Sequence, residues 1–287
     1  MDTSAFKNMN LQSWTYVRNN KQLLFALMGL AGGALGALVA EIAPDSPSSM
    51  AVSVFQVAVW SALAASFITT GLFLAGEFYN RRPVAFPILR KGLLTGLIAG
   101  GIAGGIAQAV YSVQSDPSAF KDLVLRPLCW GLMGAILGWR LSVVVPNLGT
   151  RRGVAAGGIG GVVGGIGFLI VCSILPEAFG RMVGFGILGA ILGLAIVTVE
   201  ALFRDASLEI IWAPKETTSI TLGPKPIYIG GGDDHVHVAG LPQHAAGVVH
   251  EQGKIQYIDF STSKRTDLKD GSRIKVGRIE VVVHAKK

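Results

Sequence analysis

Side chains able to do chemistry are few in this chain and unevenly placed. All five histidines, His235, His237, His244, His250 and His284, fall in the last quarter, two of them directly after the acidic pair Asp233-Asp234. Alternate residues of a strand share a face, so Asp233, Asp234, His235 and His237 offer the oxygen and imidazole donors that hold metals. The set has no further ligand at a characteristic spacing, so it reads as ordinary strand and turn residues; no metal or cofactor is expected. Lys264 and Arg265 offer positive charge to an acidic partner, or else a solvated turn. Upstream, Glu41, Glu77, Arg126, Arg140 and Glu200 stand within or beside apolar runs. Charge at membrane depth is costly and marks a functional candidate, but each of these lies near a run's end, within reach of head groups. Arg140 and Glu200 follow the same GxxGAxxG segment and are candidates for a helix-orienting ion pair. The chain has no HExxH motif, no GxSxG motif and no mid-run aspartate pair. With no nucleophile–base set, it is not read as an enzyme.

The elements that position these groups are mostly apolar. Of 287 residues, 51% are hydrophobic, 15% are charged and 38 are glycine, with a mean hydropathy of +0.51. A soluble domain carries about 25% charged residues. Six runs approach the ~20 apolar residues that cross a bilayer as helix: Gln22–Ile42, Val52–Gly76, Gly92–Val113, Leu123–Val145, Gly153–Leu175 and Met182–Leu202. Pro44-Asp45-Ser46-Pro47, Asp116-Pro117-Ser118 and Pro146-Asn147 stop helices between them. No small-residue cleavage site follows the first run, so it reads as a span. The expected organisation is a polar segment at 1–21, a six-span membrane domain at 22–203 and a soluble domain at 204–287.

Basic residues set the expected orientation. Lys7, Arg18 and Lys21 precede the first run, Arg81, Arg82, Arg90 and Lys91 fill the second spacer, and Arg151 and Arg152 the fourth. Odd-numbered spacers are nearly free of them. By the positive-inside rule both termini are cytoplasmic. The same rule accounts for the net charge of +7, so no nucleic-acid partner is expected. Cys129 and Cys172 fall inside apolar runs, where they read as packing residues.

Glycine recurs every four residues in several runs. Gly96, Gly100 and Gly104 form one series, Gly157, Gly161 and Gly165 another, and Gly134/Gly138 and Gly189/Gly193 two more. Residues four apart share a helix face, and a glycine face lets another helix approach closely, within one chain or in a homo-oligomer. Gly131–Gly138 recurs as Gly186–Gly193, and Gly100–Gly105 as Gly160–Gly165. Spans 3–4 and 5–6 therefore read as copies of one hairpin, with Gly32-Gly33-Ala34-Leu35-Gly36 beginning a weaker third.

After Arg204 the pattern turns to short alternating segments. Candidate strands are Ser207–Trp212, Ser219–Leu222, Ile227–Gly230, Val236–Val238, Gly247–His250, Ile255–Phe260, Arg273–Val276 and Ile279–Val283. Short strands at this density predict a β-sandwich.

This stretch resembles the forkhead-associated (FHA) family. The likeness rests on Ile229-Gly230, then Asp233 and Asp234, Val236 and Val238, His244-Ala245, Gly253, Asp259, and Leu268-Lys269-Asp270-Gly271 leading to Ile274-Lys275-Val276-Gly277. The resemblance implies a sandwich that binds phosphothreonine peptides through an arginine after the strand glycine and a serine before the histidine. Here Gly231 stands at the arginine's place and Gly240-Leu241-Pro242-Gln243 precedes His244, without a serine. A loop from Ser261 to Thr266 replaces the family's Asn-Gly-Thr. The positions that would meet a partner are thus Gly231, Gln243, Ser261, Lys264, Arg265 and Thr266. Trp130 to Gly138, Arg152 to Gly167 and Arg181 to Glu200 give the whole chain the look of bacterial inner-membrane proteins with glycine-rich hairpins and a C-terminal FHA-like domain. Such proteins serve as signalling or assembly scaffolds in kinase- or ATPase-based systems.

The expected fold is therefore two-part: six glycine-rich transmembrane helices and a C-terminal all-β FHA-like sandwich. The expected function is a membrane-anchored scaffold or signalling adaptor that recruits a cytoplasmic protein, without phosphothreonine dependence. The alternative is a transporter or pore gated by the cytoplasmic domain.

Overall fold

The computed structural model describes residues 13–41, 49–113, 119–214 and 216–286. Lys7, the turn residues Pro44–Pro47 and Asp116–Ser118, and Ile42 lie outside the described residues. Residues 13–19 are helical. Six long helices follow: α1 (Lys21–Ala40), α2 (Met50–Tyr79), α3 (Phe86–Val113), α4 (Ala119–Val144), α5 (Thr150–Ile174) and α6 (Glu177–Leu202). Asn20 caps α1 by accepting a 3.0 Å hydrogen bond from the Leu23 N–H, which satisfies one of the orphan donors of a helix start. Among the described residues, five helices are long and apolar enough to cross a membrane. The exception is α4, of similar length, whose run is broken by Lys121, Asp122, Arg126 and Arg140.

The helices close a ring in chain order, each packing on the next and α6 on α1. Glycine makes most of these seams. The carbonyls of Phe185, Ser61 and Trp130 abut Gly33, Gly100 and Gly161; one turn on, those of Gly189, Ala65 and Gly134 abut Gly29, Gly96 and Gly157. A Cβ added at any of these six glycines would overlap the facing backbone. Where lipid is as apolar as the side chains, helices gain by dispersion at such short range. One contact is thus made three times, between α6 and α1, α2 and α3, and α4 and α5. These seams join successive hairpins of the sequence repeat and lie between its copies. By contact Gly100 corresponds to Gly161, one residue from the Gly100–Gly160 match in the sequence.

Ring centroids of Trp60, Trp130, Phe168 and Phe185 stand 4.7–5.5 Å apart in the contacts Trp60–Phe185, Trp130–Phe185, Phe168–Phe185 and Trp130–Phe168. Leu24, Phe25, Leu72, Leu137, Leu188 and Leu192 fill the core with them. Polar side chains of α2 bond carbonyls of their own helix and, at Ser66, of α3. The Ser66 Oγ–H bonds Ala62 O and Leu93 O, and Thr69 and Thr70 bond carbonyls of their own helix. Gln108 reaches Ser53 Oγ across helices at 2.9 Å.

Among the described residues, nine strands form the C-terminal part: β1 (Ala206–Ala213), β2 (Glu216–Leu222), β3 (Ile227–Gly230), β4 (Val236–His237), β5 (Ala246–Glu251), β6 (Lys254–Asp259), β7 (Lys264–Leu268), β8 (Arg273–Val276) and β9 (Ile279–Ala285). They make a four-stranded sheet in the order β2-β1-β9-β8 and a five-stranded sheet in the order β4-β3-β5-β6-β7. Leu208 and Ile210 pair with Val283 and Val281 in one sheet and share a core with Ile227, Ile229 and Val248 of the other. Alternation places these residues inward from both sheets. One segment departs from the sequence reading. Lys264, Arg265 and Thr266 lie in strand β7, paired with Asp259, Ile258 and Tyr257, and do not form the expected loop. The strand is an edge exposed on both faces, so it carries no apolar alternation to read.

Candidate functional site

The two parts meet where β2 lies on the end of the helix ring. As an edge strand, β2 has an outer row of backbone groups that nothing in its own sheet can bond. Side chains from the helical part, one on a helix and one in a turn, bond them. Tyr79 Oη accepts the Ser219 N–H at 2.7 Å and donates to Ser219 O at 3.3 Å. Asn147, in the α4–α5 turn, donates through Nδ2 to Thr221 O at 3.1 Å and Lys225 O at 3.2 Å. Its left-handed backbone, φ 57°, is one that asparagine tolerates.

Glu200 sits beneath this contact with its side chain 1% exposed. Its carboxylate accepts from Lys21 Nζ at 2.5 Å, Thr221 Oγ1 at 2.6 Å and Arg204 Nη2 at 3.4 Å. Arg204 also donates to Ser219 Oγ and Thr221 Oγ1. A buried carboxylate needs such partners on every side, and these draw α1, α6 and β2 onto one group. The candidate Arg140–Glu200 pair does not form; Arg140 lies over the Trp139 ring at 5.9 Å. Beside the network, Glu216 accepts from Arg81 at 2.5 Å and lies 3.5 Å from Arg18. Arg81 has φ 55° at the α2 terminus, where glycine is the easy residue. Its guanidinium is held by Glu216 and over Trp212 at 5.0 Å.

The residues expected to meet a partner fall into two groups. Gly231 and Gln243 stand together, because loops β3–β4 and β4–β5 are stitched to each other. The Gly231 N–H donates to Pro242 O at 2.9 Å, and the Gln243 side chain lies against Gly232. Asp234, fully buried, accepts the His244 N–H at 2.7 Å and pairs with its Nδ1. A side chain at 231 would overlap Leu241 O, so this loop closes over the place where the resemblance puts an arginine. Ser261, Lys264, Arg265 and Thr266 form the second group, on the β6–β7 hairpin. The Ser261 N–H and Oγ–H both donate to Asp259 Oδ1, at 2.8 and 2.6 Å. These bonds hold the Asp259 carboxyl below the usual aspartate range and occupy the Ser261 hydroxyl. Lys264, Arg265 and Thr266 are exposed. Tyr228 joins the groups, stacking on His244 at 4.2 Å and meeting Phe260 at 5.8 Å. His235 is held in its neutral form: burial pushes its imidazole below the ordinary value, with Arg82 adding to the shift. Its Nδ1 accepts the Tyr228 N–H at 3.1 Å, which places the ring proton on Nε2. His237 Nδ1 lies 3.1 Å from Gly232 O, and no three metal ligands gather among the described residues.

At the opposite end of the ring, Arg181 forks onto Glu41 with bonds of 2.5 and 2.7 Å, a bidentate clamp between α6 and α1. Near it a cavity of about 290 Å³ is lined by Trp60, Gln108, Tyr111, Arg126, Cys129 and Trp130, among others. The sequence reading missed the roles of Tyr79, Asn147 and Thr221. Their only signal was indirect: the Phe203–Ala206 junction has no flexible linker, so some helix end had to touch the β part. Compared with models of known protein families, with curated proteins and with solved structures, the chain matches none.

Proposed function

We propose that the chain is a membrane-anchored scaffold whose β part, held at a fixed orientation on the helix ring, docks a cytoplasmic protein. The observation that carries this reading is the asymmetry of the sandwich edges. Tyr79 and Asn147 cover β2, while edge strand β7 presents Lys264, Arg265 and Thr266 to solvent. A basic exposed edge suits an acidic, extended partner segment. In this reading all six helices span, α4 with its exposed Leu123, Leu128, Leu132 and Val143 turned to lipid. The end carrying Arg81, Arg82, Arg151 and Arg152 faces the cytoplasm of a bacterial cell. The FHA-like assignment draws support from the two-sheet core and from the Asp234–His244 tie. Docking independent of phosphothreonine draws support from the closed backbone at Gly231 and from the occupied Ser261 hydroxyl. The pore alternative has the 290 Å³ cavity in its favour, but the aromatic cluster of Trp60, Trp130, Phe168 and Phe185 fills the ring's centre beside it.

Photo-crosslinkers at Arg265 and at Lys275 of the full chain, offered native and phosphatase-treated cytoplasmic extract, test the proposal. The expected result is one product from position 265, none from 275, unchanged by phosphatase and lost in Lys264→Glu. A product that disappears with phosphatase would restore phosphopeptide recognition, and no product at 265 would remove the docking role of β7.

A further inference from the structure

The six seams of the helix ring are not alike. Five have a glycine seated on the facing helix: α1–α2, α2–α3, α4–α5, α5–α6 and α6–α1. At the sixth, the glycines of α3 turn to α2 and those of α4 turn to α5, and α3 touches α4 least of all ring neighbours. A cleft of about 590 Å³ opens along this seam. Its walls are graded. Leu94, Ile98 and Ile136 line the part toward mid-helix, and Arg90, Lys91 and Arg140 line the end beside the β part. Arg90 and Lys91 stand in the first turns of α3 and Arg140 near the end of α4, so the antiparallel helices bring the three cations to one level.

Within the protein their charge meets no ion pair: Glu77 acts on Lys91 only at longer range, and Arg140 lies over the Trp139 ring at 5.9 Å. Nearby Arg81 and Arg82 are paired with Glu216 and Glu77. Among the described residues no carboxylate stands within ion-pair distance of Arg90, Lys91 or Arg140. Three cations above an apolar slot, at a helix end and on the lipid-facing side of apolar helices, are complementary to a molecule with an anionic head and a hydrocarbon tail. We propose that the α3–α4 cleft binds one anionic phospholipid of the bilayer, its phosphate held by Arg90, Lys91 and Arg140 and an acyl chain laid along Leu94, Ile98 and Ile136. The lipid takes the place at this seam that glycine packing takes at the others.

Native mass spectrometry of the full chain in neutral detergent, titrated with phosphatidylglycerol or with phosphatidylcholine of the same chains, tests this. One phosphatidylglycerol is expected to be retained, about a hundredfold more tightly than in the Arg90→Gln/Lys91→Gln/Arg140→Gln variant. Arg151→Gln, which removes a basic residue outside the cleft, is expected to leave retention unchanged. Ile98→Trp, which fills the slot without touching the cations, is expected to weaken it. Equal retention of phosphatidylcholine would overturn the proposal, as would full retention by the triple variant or an equal loss in Arg151→Gln. Glycerol phosphate displacing the lipid at equal concentration would show a head-group site without a chain slot, and would overturn it too. Should the triple variant not fold, the two lipids on the unaltered chain and Ile98→Trp decide the matter.

Discussion

The helix ring and the β-sandwich are held together by opposite means. In the ring the decisive atoms are ones that are missing: Gly134 and Gly157, or Gly29 and Gly189, bring backbone onto backbone because neither carries a Cβ. In the sandwich the decisive atoms are present, in the methyls of Leu208, Ile210, Val281 and Val283 that fill the space between two sheets. The difference follows from the solvent. Water drives apolar side chains together at about 25 cal/mol per Å², whereas hydrocarbon offers no such drive and leaves close dispersion contact to do the work. Opposite substitutions should therefore do the same harm in the two regions: carbons removed from the sandwich core, or one added at a ring seam, should each destabilise.

The sharpest form of that comparison removes methyls from the sandwich. Ile210→Ala, at a fully buried position, should cost about 3–4 kcal/mol. The readout is denaturant unfolding of the β part followed by Trp212 fluorescence. A loss under about 1 kcal/mol, the scale of a single methyl, would mean the two sheets do not share this core. The converse adds one methyl to the ring. Gly157→Ala forces a Cβ onto Gly134 O and should cost about 2 kcal/mol. Gly76→Ala has nothing within 4 Å and should stabilise by about 0.5 kcal/mol, through lost freedom of the unfolded chain. Thermal scans of the detergent-solubilised chain separate the two, and equal shifts would refute seam packing at Gly157.

The smallest expected effect is in pH. The folded-state value of His235 lies below its ordinary 6.5, so the unfolded chain takes up the proton first. Its contribution to stability is whole above that value and declines as pH falls below it toward the folded value. Unfolding midpoints across that range should drop more in the unaltered chain than in His235→Gln. Parallel curves would mean that the Tyr228–His235 bond does not depend on the neutral ring.

Much of the fold was legible because it rests on patterns with a period. Apolar runs mark the helices, glycine at four-residue spacing marks the faces that touch, and alternation marks β1 and β9. β7 was not legible, since Lys264, Arg265 and Thr266 sit on an edge with no buried face. The match of Gly100 to Gly160 slipped by one residue because glycine-rich sequence aligns nearly as well out of register. Arg140 and Glu200 were paired by sequence position, while the chain brings Glu200 to Lys21, which comes 179 residues earlier.

By itself the sequence determined the two-part composition, apolar helices followed by short alternating strands, because hydrophobic period and turn chemistry act over a few residues. Only the tertiary structure decided which glycine meets which carbonyl, which seam is left open, and which groups surround Glu200. Those contacts join residues far apart in the chain, and local pattern carries no information about which distant backbone will arrive at a given face.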